Sequence, residues 1–205
     1  MGHKALRELS SIAWYNSYVD RGMERVPTTK QELANIVKKY PGHLIATTAC
    51  MGGELSTALA EQNYEQAEDF IRFCVELFGE DFYLECAPSS MGDQMQVNSR
   101  LYQMAVKHNI KMVVGTDAHY LTKEDRYVHK AYLNSKGGER EVDSFYEFSR
   151  LMEQEEVEQL LTPCFPSADV TQWILDNSLE LKSKITWYSL EKDQRIPKVT
   201  VADYP

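Results

Sequence analysis

The chain has 205 residues, 43% of them hydrophobic, which is enough for one globular domain with a buried core. Its net charge of −9 makes it a poor candidate for binding DNA alone, because proteins that grip the phosphate backbone usually carry a basic surface. No apolar stretch is long enough to cross a bilayer, and the start lacks the apolar segment of a signal peptide, so we expect a cytoplasmic protein without membrane contact.

The cysteines are too scattered to indicate a zinc ribbon or a disulfide framework. They lie far apart and form no CxxC pair, and we expect reduced thiols of which most are packing residues. The four are Cys50, Cys74, Cys86 and Cys164.

The first 80 residues contain apolar residues at helical spacing, interrupted by one short β-like run. Gly22 breaks the first helix, Thr28 or Thr29 can cap the second, and Asn63 starts the fourth. The predicted elements are a helix over 4–20, a helix from 28 or 29 to 39, a strand over 43–49, and helices over 54–61 and 63–78.

Further along, two apolar runs of strand length alternate with helical segments. After Gly137 and Gly138 the pattern changes to an acidic, helical tail. The predicted elements are strands over 81–86 and 110–116, helices over 94–108 and 123–135, and tail helices over 153–161 and 167–185.

This alternation of helices with apolar strands predicts an α/β fold with a parallel sheet. In such folds the functional face lies at the carboxyl ends of the strands. Cys50 follows the first strand, and Asp117 and His119 follow the last, where side chains at i and i+2 of a strand would share a face. Glu85 is a possible additional contributor. A metal site and a strand that simply ends in a polar turn explain this local pattern equally well.

Several motifs, in order, resemble one known family. The segment His43-Leu-Ile-Ala-Thr-Thr-Ala-Cys-Met-Gly-Gly-Glu-Leu55 resembles the "GLIA-(S/T)-x-C-x-x-GE(I/L)" stretch of the bacterial DNA polymerase III alpha subunit. The similarity continues through Asp81-Phe-Tyr-Leu-Glu85 and Gly115-Thr-Asp-Ala-His-Tyr120. Upstream, residues 2–10 and 24–27 are similar to the helix and linker that precede these stretches, and downstream, residues 145–152 and 177–181 are similar to the stretches that close the same domain.

The resemblance implies a polymerase and histidinol phosphatase (PHP) domain, which in that family is a distorted (β/α) barrel with a divalent metal cluster. Carried over, the family's cysteine ligand falls on Cys50 and its late Asp-x-His pair on Asp117 and His119. The expected cofactor is zinc or manganese, with magnesium as an alternative. In some relatives this domain is associated with a 3′–5′ exonuclease, and in others with scaffolding.

The chain departs from the family in one large respect. The His-x-His strand and the further His, Asp and Glu ligands that open the domain are missing, since His3 lies in a predicted helix. We therefore predict the C-terminal part of a PHP domain over 1–186, including the helical tail, and a linker toward the polymerase region over 187–205. Metal binding by the chain alone should be weak or incomplete.

Two functions of different classes follow. The chain is either part of a metal-dependent phosphoesterase acting on DNA, or a scaffold that braces the polymerase or docks a proofreading subunit. The expected partners are the remainder of the alpha subunit and replisome or proofreading subunits, with DNA bound only in the full polymerase. Because missing strands leave a sheet edge unpaired, we also expect self-association, cover by another chain, or a rearranged open sheet.

Overall fold

The computed structural model describes residues 1–23, 26–135 and 146–191, and these form eight α-helices and a small parallel sheet. Every predicted helix is present, with ends shifted by a few residues. The helices are α1 Gly2–Trp14, α2 Lys30–Lys39, α3 Glu54–Ala60, α4 Tyr64–Phe78, α5 Gly92–His108, α6 Arg126–Asn134, α7 Gln154–Leu161 and α8 Ala168–Lys184. One π-helical turn, Tyr15–Val19, continues α1.

The sheet has three parallel strands in the order β1 (Ala46–Thr47), β2 (Phe82–Cys86) and β3 (Met112–Val114). Parallel neighbours require a crossover, which α3 and α4 supply between β1 and β2 and α5 supplies between β2 and β3. All three carboxyl ends therefore lie at one edge of the sheet, which we call the carboxyl edge.

Two of the predicted strands are shorter than the sequence indicates. The apolar run over 43–49 forms only two residues of β1, and Ala49 has a positive φ of 55°, which ends the extended conformation. The run over 110–116 forms strand only up to Val114. Apolar composition alone thus marks where a strand lies better than where it stops.

The main core packs on one face of the sheet. On β2, Phe82, Leu84 and Cys86 alternate toward this core, as the period of two in a strand requires. The helices contribute further buried side chains, among them Leu59, Ile71, Val97, Leu101, Leu161 and Ile174.

The cysteines behave largely as predicted. Cys74, Cys86 and Cys164 are buried, Cys50 is half-buried, and none of the four is disulfide-bonded. Burial raises the pKa of the Cys74 thiol to about 12, so it stays protonated at neutral pH. Burial likewise raises the pKa of Cys86 and Cys164, which fits a packing role.

A smaller cluster joins α1 to α2 outside the main core. Its buried members are Ala5, Leu9, Ile36 and Tyr40. Glu8 ties the two helices together, since the Tyr40 hydroxyl donates to its carboxylate at 2.6 Å and the Lys39 ammonium contacts the same group.

Thr29 caps α2 through a reciprocal capping box. Its hydroxyl accepts from Glu32 N at 3.2 Å, and its own N–H donates to the Glu32 carboxylate at 2.8 Å. We expect Thr29→Ala to lower the free energy of unfolding by about 1 kcal/mol, because an orphan helix donor loses its partner. Urea denaturation beside Thr28→Ala, an exposed neighbour, measures this; equal midpoints for the two variants would contradict it.

Side chains of α8 cover the outer edge of β3. The Asn177 amide donates to Met112 O at 3.0 Å, and Val114 N–H donates to the Ser178 hydroxyl at 3.0 Å. β3 pairs with β2 through the backbone groups of Lys111, Val113 and Gly115. The carbonyl of Met112 and the N–H of Val114 point the other way, and a fourth strand would form its hydrogen bonds with these two groups. The predicted need for edge cover is thus met at β3 from within the chain, in an open sheet. Self-association stays a prediction.

The tail is only partly described. Residues 185–191 follow α8 without helix or strand, and 192–205, which hold most of the predicted linker, lie outside the described residues. The change of pattern at Gly137 and Gly138 also lies outside them, as does Phe145 at the start of one matching stretch. The boundary predicted at 186 stays a prediction.

Candidate metal site at the carboxyl edge

Asp117 and His119 lie in the loop that follows β3, not in the strand itself. Asp117 has a left-handed φ of 45°, so the chain has already turned by this point. The prediction that strand alternation places both side chains on one face was therefore wrong in its mechanism. The loop nevertheless keeps them together, since His119 Nδ1 lies 3.9 Å from Asp117 Oδ1. We call these two residues the carboxyl-edge pair.

A backbone hydrogen bond defines which nitrogen of His119 carries the proton. Nδ1 lies 2.6 Å from the carbonyl oxygen of Asp117, and because a carbonyl can only accept, Nδ1 must be the donor. In the neutral ring this leaves the lone pair on Nε2. Metal-binding histidines typically donate their second ring N–H to a carbonyl in this way, so His119 has the tautomer that suits a ligand.

Cys50 lies at the same edge but on the other side of the sheet from Asp117 and His119. It follows β1, and β2 separates β1 from β3, so two strand spacings, about 10 Å, lie between those strands. Within 1–23, 26–135 and 146–191, no group of three or more His, Cys, Asp and Glu side chains is arranged to hold a metal ion. The donors fit one side of a coordination sphere, and further ligands would have to come from elsewhere.

Glu85 sits over Gly115 at the same edge. A Cβ added to Gly115 would lie 2.7 Å from Glu85 Cγ, and closer still to the carboxylate. Glu85 N–H also donates to the Thr48 hydroxyl at 2.9 Å, which fixes the backbone beside β1. A side chain at this glycine would thus displace Glu85 or shift β3, which the sequence around Gly115 does not reveal.

Gly115→Ala should therefore destabilise the carboxyl edge. Moving Glu85 away or shifting β3 is expected to cost about 1–3 kcal/mol of unfolding free energy, as overpacking usually does. Gly92→Ala is the matched control, since a Cβ there meets nothing within 4 Å and alanine favours the helix that begins at this residue. If thermal denaturation showed equal shifts for both variants, the close approach would be unimportant.

Two aromatic rings contact the imidazole of His119. Its centroid lies 5.4 Å from that of His129 and 4.9 Å from that of Tyr146, and His129 also contacts Tyr120 and Tyr146. Burial lowers the pKa of His129, and the adjacent His119 lowers it further, which favours the neutral imidazole. His129 is half-buried and its ring packs against that of His119.

A groove of about 930 Å³ lies at the opposite, amino end of the strands. Aromatic side chains, including Phe82, Tyr102 and Trp173, line it. Two lysines on its rim are already ion-paired, Lys111 with Glu180 and Lys184 with Asp81 at 2.8 Å. Its position and paired charges give no reason to place metal chemistry there.

Comparison with known proteins agrees with the motifs and the sheet. Residues 1–89 match the family described as "PHP domain". The match covers the part of the chain from α1 to the end of β2, which is therefore similar to that family. A three-stranded parallel sheet with flanking helices and a helical tail is the architecture expected for part of a PHP domain.

Polymerases are similar to this PHP segment and its tail. "Probable DNA polymerase YorL" of Bacillus subtilis (strain 168) and "DNA-directed DNA polymerase" of Bacillus phage SPbeta are each 37% identical over 99% of the chain. "DNA polymerase III subunit alpha" of Aquifex aeolicus (strain VF5) is 33% identical over 64% of the chain, or 11% of its own length. The chain spans 17% of the first two relatives, so it corresponds to a small part of each.

The resemblance to the alpha-subunit PHP domain is thereby confirmed. In the part of the chain that the structure describes, no helix is long and apolar enough to span a membrane.

Proposed function

We propose that this chain is a PHP segment of a replicative DNA polymerase, and that it contributes the carboxyl-edge pair to a metal-dependent phosphoesterase site acting on DNA 3′ ends. The observation that carries this is the placement of Asp117 and His119 together at the carboxyl edge, with the His119 tautomer fixed. A bound zinc or manganese ion, or magnesium, would supply an activated water. Cys50 is the third proposed ligand.

The chain's own residues would bind the metal ion and orient its ligands. The hydrogen bond from His119 Nδ1 to the carbonyl oxygen of Asp117 leaves Nε2 available to the metal, and the carboxylate of Asp117 lies beside the ring. The remaining ligands would come from polymerase segments outside this chain, since the described residues contain no group of three. DNA would likewise be held by the rest of the polymerase, because a net charge of −9 disfavours contact with the phosphate backbone. Such a role in replication implies a cytoplasmic location.

A scaffold role is the second candidate, and an exposed stripe on the N-terminal helices favours it. Leu6, Trp14 and Tyr18 recur at helical spacing and are each about half exposed, at 52%, 51% and 53%. The Trp14 and Tyr18 rings stack at 5.8 Å. Such a stripe suits contact with the remainder of the alpha subunit or with a proofreading subunit.

A chimaeric polymerase separates the two functions. The chain would replace the region of the SPbeta polymerase that it matches, and 3′–5′ degradation and primer extension would be measured with and without Asp117→Ala and His119→Ala. The phosphoesterase role predicts loss of metal-dependent degradation while extension persists. Unchanged degradation in both variants would rule that role out, and loss of extension in a Leu6→Ser/Tyr18→Ser variant would support the scaffold.

A further inference from the structure

We propose that His129 is a positioning residue, which holds the His119 imidazole in its Nδ1–H tautomer so that Nε2 points away from the loop. The inference rests on the proposed function only in that His119 is the ligand being positioned. The orientation of the ring in the metal-free chain can be tested separately.

The contacts around His119 restrain its ring from several sides. Nδ1 is held by Asp117 O at 2.6 Å, and the rings of His129 and Tyr146 approach at 5.4 and 4.9 Å, both inclined by about 60°. His129 and Tyr146 also contact each other at 4.9 Å. The three rings thus form a triangle in which each ring contacts the other two.

The backbone around this triangle is itself anchored. His119 N–H donates to Ser149 O at 2.8 Å, and the Tyr120 hydroxyl donates to Tyr146 O at 2.6 Å. Tyr120 and Arg150 form a parallel bridge next to these bonds. The loop after β3 and the segment 146–150 therefore act as one unit, which places Tyr146 against His119.

The helix that carries His129 lies at the surface. α6 has no fully buried residue and Tyr127 is 74% exposed, while Arg126 Nη1 lies 4.0 Å from Glu147 Oε2. A capping box fixes the turn that precedes α6. The N–H and the hydroxyl of Thr122 both donate to the Asp125 carboxylate at 3.0 Å. The ring contacts of His129 are therefore a principal link between α6 and the carboxyl-edge pair.

The role requires a ring at position 129 and not a charge or a metal-binding nitrogen. Phenylalanine should preserve the triangle, whereas alanine should open it and free His119 to rotate away from Asp117 O. If His129 were itself a ligand, both substitutions would remove metal binding. The pair His129→Phe and His129→Ala thus separates positioning from ligation.

The first test is the tautomer of His119 in the full, metal-free chain. Nitrogen-15 NMR at about pH 8, where imidazoles are mostly neutral, distinguishes the two ring nitrogens. We expect His119 to be Nδ1–H in the wild type, in His129→Phe and in the distant control His108→Ala, and to become a tautomer mixture in His129→Ala. A mixture in the wild type, a mixture in His129→Phe, or an unchanged tautomer in His129→Ala would each overturn the proposal.

The second test adds Zn²⁺ to the same samples and follows the Nε2 resonance of His119. We expect the apparent zinc affinity to fall about 10–100-fold in His129→Ala, as it does when a residue that orients a metal ligand is removed. In His129→Phe the affinity should stay within about threefold of wild type. Equal affinity in all variants, or equal loss in both, would overturn the proposal. If adding zinc does not change the Nε2 resonance of His119 but His129→Ala changes the tautomer, the positioning role of His129 is supported and the proposed metal site is wrong.

Discussion

Substituting Asn177→Leu and Ser178→Ala together is expected to lower the free energy of unfolding by about 2–6 kcal/mol. Each change removes one side-chain partner from β3 and leaves a backbone group unpaired, which costs about 1–3 kcal/mol when the group is buried. Asn177 is only 5% exposed and Met112 is fully buried, so water cannot replace the lost bond to Met112 O. Urea denaturation measures the change.

The matched control is Gln172→Leu with Ser183→Ala, two exposed positions on the same helix. It should change stability by less than about 1 kcal/mol, because surface substitutions usually have small effects. We also expect the edge variant to self-associate in light scattering, since the outward groups of β3 become free to pair with another strand. An edge variant as stable and as monomeric as its control would show that α8 does not protect the sheet.

Leu101→Ala is expected to destabilise the protein by about 2–5 kcal/mol. Leu101 lies in the middle of α5, is 1% exposed, and belongs to the main core together with Leu84 and Met112 of the sheet. Truncation removes buried methyl groups and leaves a cavity that the surrounding side chains fill only in part. Thermal and urea denaturation should agree on the size of the loss.

Leu179→Ala provides the control for this second variant. It makes the same substitution in a helix, but Leu179 is 66% exposed, so helix propensity is matched and burial is not. We expect less than about 1 kcal/mol of change there. Similar losses for both leucines would mean that the sheet and helices do not share the tightly packed core described above.

Local patterns predicted the helices well because their signals are local. The α4 helix is an example, since Asn63 accepts from Gln66 N at 3.2 Å as a cap and Ala67, Ile71 and Cys74 repeat on its buried face. The strand limits were harder, because a strand ends where its hydrogen-bond partner ends. Thus β3 stops at Val114, opposite the last residue of β2, although the sequence predicted a strand up to residue 116.

The proximity of Asp117 and His119 could be predicted because it is local, and their role as metal ligands stays a prediction. Asp117 and His119 are two residues apart, so any tight loop brings them close, and the family motif drew attention to them. Cys50 lies across the sheet from them, and its part in a metal site stays a prediction. The approach of Glu85 to Gly115, the ring of His129 beside His119, and the cover of β3 by Asn177 depend on tertiary packing that no short motif encodes.

Metal content is the most direct test of the claim that the chain carries part of a PHP metal site. Elemental analysis would compare the purified chain with a Cys50→Ala/Asp117→Ala/His119→Ala variant and with Cys74→Ala, a buried thiol outside the site. We predict zinc or manganese above background in the wild type and Cys74→Ala, at less than one ion per chain, and its loss in the triple variant. Equal metal in the wild type and the triple variant, or none in either, would contradict the claim and leave the scaffold role as the function.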